Sequence, residues 1–345
     1  MHTAPTLSRR RLLTAATALL ALRTLPARAD ERYEAPGPQP VDVSDTDWRD
    51  AARQRSLPLR IRLPASARAD RPAPLVLFSH GLGGSVDAGR FWAEHWASHG
   101  IAVIHLQHPG SDAAVWQGAQ NRAAAARAMK SAAELPQFLA RVADVKFVLD
   151  ELARRRQAGD AMAQRLDLAR IGMSGHSFGA VTTQALAGQQ FPVGRRQAAQ
   201  ADALADDRLR AFIAFSPSAR SDEAAPQFAR ITRPFFSVTG TEDGRVGLGL
   251  GVPPHHRLIP FEGLPGPEAY LLNLVGADHA IFSGQPRWRD EAATDPARDD
   301  LHRRLVKATT LAFWQAQLAD DAAARAWLHG PAAGWIGAAG RFERK

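Results

Sequence analysis

The sequence predicts an α/β protein with a mostly parallel central sheet and helices on both faces. Three observations lead there. Short apolar runs recur along the chain, each stopped by glycine, proline or a polar residue; segments with helical spacing lie between them; and one run, ending at Met173, passes into a helix-compatible segment through Gly175-His-Ser-Phe-Gly179. Strands alternating with helices build a parallel sheet whose inner strands are covered on both sides, which is why their apolar runs are continuous rather than alternating.

The elements follow in order. Residues 30–40 are rich in proline and charge and read as an extended arm. "LPLRIRLP" (57–64) has period-two character between prolines and reads as an edge strand. "PLVLFSHG" (74–81) and "IAVIHLQHPG" (101–110) read as central strands, with "DAGRFWAEHWASHG" between them as a helix stopped by Gly100. Phe138, Val142, Val145, Leu149 and Leu152 recur at three- and four-residue steps, the apolar face of a second helix. Further strands are expected at 169–174, 210–216, 234–239 and 270–275, and a last helix at about 299–318 presenting Leu301, Leu305, Ala308, Ala312 and Leu318. The stretches 111–136 and 244–268 are the least regular and read as loops or a small lid. With 345 residues, 45% of them hydrophobic, and no linker or repeat, residues 30–345 form one domain.

Residues 1–29 read as a targeting segment. "SRRRLLTAATALLAL" joins arginines to an apolar run, and Ala27 and Ala29 make an A-x-A site with cleavage before Asp30. Ser8, Arg9, Arg10, Leu12 and Leu13 resemble the twin-arginine export signal, which implies a periplasmic or secreted protein. The apolar run Leu12–Leu22 is well short of the ~20 residues that span a bilayer. The segment also carries five of the basic residues and no acid, so of the formal charge of +8 only +3 remains without it. A basic stripe interleaved with aromatics is missing, which argues against nucleic-acid binding. Cysteine is absent, excluding disulfides, thiolate nucleophiles and thiolate metal sites.

The chemistry centres on Ser177. A strand-to-helix turn compressed into G-x-S-x-G strains its central residue and lifts that side chain clear of the sheet, while the helix N-terminus favours a developing anion. The bland alternative is a glycine-flanked serine capping a helix. A serine nucleophile needs a base, and the base needs a third group to orient it. Asp243, just past one strand in "GTEDG", and His279, just past the next in "GADHA", stand where that architecture requires acid and base. Glu242 and Asp278 are the rival acids, Asp278 being too close in sequence to reach the far ring nitrogen. Backbone N–H groups of Phe178 and Leu82, the latter in the glycine-rich "FSHGLGGS", are the expected oxyanion donors. His105, His108, His255 and His256 offer imidazoles for a metal, but no matched carboxylates lie near them in sequence, so no metal or cofactor is expected. Trp116, Phe178 and Phe282 are candidate pocket aromatics, with core packing as the plainer reading.

"LFSHGLGGS" (77–85) together with "GHSFGA" (175–180) resembles the α/β-hydrolases grouped with plasma-type platelet-activating factor acetylhydrolase and bacterial dienelactone hydrolase-like proteins, over about residues 41–318. The resemblance implies the α/β-hydrolase fold and a metal-free carboxylic ester hydrolase acting on a small-molecule or lipid ester. It implies Ser177 as nucleophile, His279 as base and then acid, and Leu82 and Phe178 as oxyanion donors. An acyltransferase or a lipid- or polyester-type esterase on the same triad is the alternative. The acetylhydrolases carry their acid after the strand that follows the nucleophile helix. Here that segment, "AFIAFSPSA", offers Ser216 and no carboxylate, so the acid moves one strand on, to Asp243. True dienelactone hydrolases use a cysteine, which this chain lacks.

Overall fold

A computed structural model describes residues 29–191, 204–244, 251–285 and 295–345. The targeting segment expected over 1–29 lies outside the described residues but for its last. Among the described residues nine strands, β1 (Val41–Asp50), β2 (Arg55–Pro64), β3 (Ala73–Ser79), β4 (Ala102–Leu106), β5 (Leu166–His176), β6 (Leu209–Phe215), β7 (Phe235–Glu242), β8 (Ala269–Asp278) and β9 (Gly340–Arg344), are joined in one sheet in the order β1-β2-β4-β3-β5-β6-β7-β8-β9. From β4 to β8 every pairing is parallel. The outer pairings β1–β2, β2–β4 and β8–β9 are antiparallel.

Alternation along the strands sends side chains to two cores. Leu75, Leu77, Ile104, Met173 and Phe212 face one; Val76, Phe78, Val103, Ile213 and Phe215 face the other. The helices in chain order are α1 (Ala29–Glu34), α2 (Arg90–Ser98), α3 (Ala114–Gln117), α4 (Arg122–Ser131), α5 (Leu135–Gln157), α6 (Ala161–Gln164), α7 (Phe178–Ala187), α8 (Ile259–Gly263), α9 (Pro296–Leu318), α10 (Ala322–His329) and α11 (Pro331–Ile336). Helices α5 and α7 cover the first face, with Phe138, Val142, Val145, Leu149 and Leu152 buried as the spacing predicts. Helices α2 and α9 cover the second, where Trp92 lies parallel to Phe215 and Trp96 meets Trp314 edge-on.

The structure corrects several sequence expectations. The arm at 30–40 begins inside α1, anchored because Tyr33 is buried against Trp327. The strand expected at the edge, β2, lies one place in, covered by β1; its Pro58 stands opposite Asp47 of β1. The stretch 111–136 contains α3 and α4, and 244–268 contains a 3-10 turn at Pro254–Arg257 followed by α8. In α9, Leu305, Ala308, Ala312 and Leu318 are buried but Leu301 is exposed; the apolar face instead takes in Leu311, Phe313 and Trp314. That helix starts at Pro296 because Asp295 accepts the N–H groups of Ala297 and Arg298. Among the described residues no helix is long and apolar enough to cross a membrane.

Trp314 shows how closely helix and sheet approach. A Cβ on Gly172 of β5 would stand 2.5 Å from its ring. Trp314→Ala should therefore leave a cavity between α9 and the sheet and cost about 3–5 kcal/mol, read as a lower urea midpoint at unchanged m-value.

Candidate functional site

Three parallel strands, β5, β7 and β8, the first separated from the other two by β6, deliver their carboxyl ends to one edge of the sheet, and Ser177, Asp243 and His279 each follow one of them. Ser177 has φ 56° and ψ −113°, a strained conformation for a residue with a side chain. Its N–H donates to the Phe215 carbonyl at 2.9 Å and its own carbonyl accepts from Val181 at 3.1 Å, so the chain passes from sheet to helix within a single residue. The glycines make this possible. A Cβ on Gly175 would lie 2.4 Å from the Gly179 carbonyl oxygen, and one on Gly179 would lie 1.9 Å from that of Ser79. Ser177 itself is half-buried.

Asp243 is fully buried, yet held as a carboxylate. Burial pushes its pKa up, but the hydrogen bond from His279 and the charges of His279 and Arg257 outweigh it, leaving the group below its ordinary value. Its Oδ1 accepts from His279 Nδ1 at 2.7 Å and its Oδ2 from the Thr239 hydroxyl at 2.8 Å. The buried Arg257 guanidinium donates from Nε to the Asp243 carbonyl at 3.0 Å and from Nη1 to the Ser216 carbonyl at 2.9 Å. Because Nδ1 of His279 donates to the carboxylate, the neutral ring keeps its lone pair on Nε2. The rival acids are engaged elsewhere: Glu242 is exposed, and Asp278 Oδ1 accepts from the Ile281 N–H at 3.2 Å.

His176, the second residue of G-x-S-x-G, is a neighbour that sequence reasoning passed over. Its ring packs 4.6 Å from that of His279, and its Nε2–H donates to the His279 carbonyl at 3.2 Å. Burial, and then the charge of His279, pushes its pKa well below the ordinary value, so it acts as a neutral donor. The motif position was visible, but its target lies 103 residues away.

The glycine-rich loop after β3 runs alongside. The N–H of Gly83 donates to Ser111 at 2.8 Å, that of Gly84 to Gly81 at 3.0 Å, and Trp116 Nε1 donates to the Gly83 carbonyl at 2.8 Å. Trp116 thus braces the loop. Phe282 is fully buried among α2 and α9 side chains, which corrects its candidacy as a pocket residue.

Carboxylates distant in sequence fold back onto two of the histidine positions. His108 Nδ1 donates to Asp144 at 2.9 Å in the interior. His255 and His256 both place Nε2 against Asp222 Oδ1, at 2.9 and 3.0 Å, and the ligand atoms of these three residues lie within 4.8 Å of one another on the surface. That carboxylate is already occupied by both imidazoles. His105 is buried in β4 with its ring 5.2 Å from that of Phe78.

Comparison with protein-family models and with curated proteins finds no match to this chain.

Two expectations follow. Gly179→Ala should not accumulate as folded protein, since the new methyl would meet backbone rather than a movable side chain; soluble yield and circular dichroism would show it. The stability that the Asp243 pairing contributes is present above the ordinary carboxylate value of 3.8 and is lost as pH falls below it, toward the depressed native value. Asp243→Asn should accordingly flatten the decline of unfolding free energy with acid below about pH 4, measured by urea titrations at successive pH values.

Proposed function

We propose that the protein is a serine hydrolase that cleaves carboxylic esters through an acyl-enzyme on Ser177, Asp243 and His279, built on an α/β-hydrolase-type sheet. One observation carries the reading: a strained, accessible serine at a strand-to-helix turn shares a sheet edge with an imidazole whose Nδ1 is bound to a buried carboxylate. Asp243 orients the ring through Nδ1, so His279 Nε2 is the nitrogen that takes the Ser177 proton as the hydroxyl attacks the ester carbonyl. The negative charge that develops on the carbonyl oxygen requires fixed donors. Phe178 opens α7, where first-turn N–H groups have no acceptor inside the helix. In the facing loop Gly83 and Gly84 commit their N–H groups to Ser111 and Gly81, which favours Leu82 as the second donor. His279 then returns the proton to the departing alkoxide, and a water activated by the same nitrogen releases the acid.

No metal and no cofactor enters this scheme. The substrate class is a small-molecule or lipid ester, and the arginine-rich segment 1–29 supports an exported protein acting in the periplasm or outside the cell.

Ser177→Ala and His279→Ala should each lower kcat for a short p-nitrophenyl ester by about 10³-fold or more with the fold retained, and Asp243→Asn by less but still by orders of magnitude. Wild-type protein should gain the mass of one phosphonyl group from a serine-directed phosphonate, and Ser177→Ala should not. Wild-type-like turnover in Ser177→Ala would overturn the assignment, and a silent Asp243→Asn beside an impaired Glu242→Gln would move the acid to Glu242.

A further inference from the structure

Beneath the proposed oxyanion loop lies a fully buried arginine that the triad chemistry does not use. Arg141 of α5 has no solvent exposure. Its Nη1 donates to the Ser111 hydroxyl at 2.8 Å, its Nη2 to the Ser79 hydroxyl at 3.1 Å and also to the His80 carbonyl, and its Nε to the Thr182 hydroxyl at 3.2 Å. The guanidinium carbon stands 4.7 Å from the centre of the Phe178 ring. These contacts reach three separate pieces of chain: the end of β3, the turn after β4, and the first turns of α7.

The contacts to Thr182, His80 and Ser111 lead on to the two chain segments that carry the proposed oxyanion donors. Thr182 passes its own proton to the Phe178 carbonyl at 3.0 Å, so the guanidinium fixes Phe178 both through its ring and through its backbone. The His80 carbonyl belongs to the peptide entering Gly81 and Leu82. Ser111, held by Nη1, presents the carbonyl that receives the Gly83 N–H. His80 completes the loop's support: its Nε2 accepts the His108 N–H at 3.0 Å and its Nδ1–H donates to the Gly81 carbonyl.

A buried cation is costly unless an anion answers it. Here the answer arrives through a relay. Ser79 donates its proton to His108 Nε2 at 2.8 Å, and His108 Nδ1–H donates to Asp144, which also receives Arg53 and Arg55. Burial pushes the Arg141 pKa down to about 9, with the charge of Asp144 opposing it, so the guanidinium remains charged at neutral pH. The line Ser79–His108–Asp144 has the composition of a catalytic triad, but Ser79 has no solvent exposure and its proton is committed to His108. It is a support and not a second nucleophile.

We infer that Arg141 is a positioning residue for the ester hydrolysis proposed above, setting the separation and direction of the Leu82 and Phe178 N–H groups by tying the β3 loop to the start of α7. The inference rests on that reading of the site. It differs from a purely structural role in what it predicts per folded molecule. Arg141→Lys keeps the charge but cannot bond four acceptors as a planar fork. Thr182→Val and Ser79→Ala each cut one connection with little change in volume.

The test measures kcat and KM on a short p-nitrophenyl ester, normalised to active sites titrated with a serine-directed phosphonate, alongside the phosphonylation rate and the thermal midpoint. Losing one oxyanion donor outright costs about 10²–10³-fold in kcat, so displacing donors without removing them should cost about 10–100-fold in Arg141→Lys and somewhat less in Thr182→Val and Ser79→Ala. KM should stay within about threefold, and phosphonylation should slow in parallel with kcat. Variants that lose thermal stability but keep wild-type kcat per titrated site would overturn the inference and leave a structural arginine. If Arg141→Lys does not fold, Thr182→Val and Ser79→Ala decide the question by the same criterion. A wild-type protein inert to ester and phosphonate alike would instead overturn the hydrolase reading, and this inference with it, before any variant is compared.

Discussion

The site depends on one close contact between backbones: the start of α7 lies against the end of β3, with Gly179 so near the Ser79 carbonyl that no side chain fits between them. That contact forces the turn at Ser177 into a positive-φ conformation. It also sets the glycine-rich loop after β3 beside the first turn of α7, so that the proposed nucleophile and oxyanion donors follow from a single packing constraint. Strain of this kind costs on the order of 1–3 kcal/mol and persists only where the surroundings over-determine it. Here the surroundings are the bond from Ser177 N–H to Phe215, the helix beginning at Phe178, and the Arg141 contacts that hold both sides together.

The interior contains two arrays of the same chemical kind with opposite consequences. In one, Asp243 is joined to His279 and flanked by Arg257; in the other, Asp144 is joined to His108 and flanked by Arg53 and Arg55. In both, burial alone would raise the carboxyl pKa, and the imidazole and guanidinium partners reverse it. The difference lies at the far ring nitrogen. His108 Nε2 is filled by the hydroxyl of Ser79, and burial, reinforced by the charge of Arg141, lowers its pKa to about 4, so this ring stays neutral and static. His279 lies at the sheet edge that Ser177 shares. Residue types therefore do not distinguish the proposed triad from a brace, whereas access to the serine does.

What the sequence disclosed follows the same division. Strands β3 to β8 were legible because burial on both faces leaves continuous apolar runs, and the turn at Ser177 was legible because the two glycines that backbone contacts demand stand within five residues of chain, on either side of the serine. Asp243 and His279 could be named because each stands just past a recognisable strand. The strand β1 was missed because both its faces are solvated over the first half: Asp42, Val43, Ser44 and Asp45 are exposed, and its apolar anchor is Trp48 near the end. Arg141, Asp144 and Asp222 were missed for another reason. Their partners lie tens of residues away, at separations such as 36 for His108 with Asp144 and 33 for His255 with Asp222, and no local pattern marks a side chain whose role is to meet something distant.

Ser216 shows how such long-range demands reach the backbone. It follows the end of β6, and it too has positive φ, 54°, with its N–H bonded across to Val238 as that of Ser177 is bonded to Phe215. Two adjacent strands thus finish with the same strained step. At Ser177 the step exposes a hydroxyl; at Ser216 it presents the backbone carbonyl to Arg257, whose Nε holds the Asp243 carbonyl at the same time. The end of β6 thus serves Asp243 on the next strand by fixing the guanidinium beside its carboxylate.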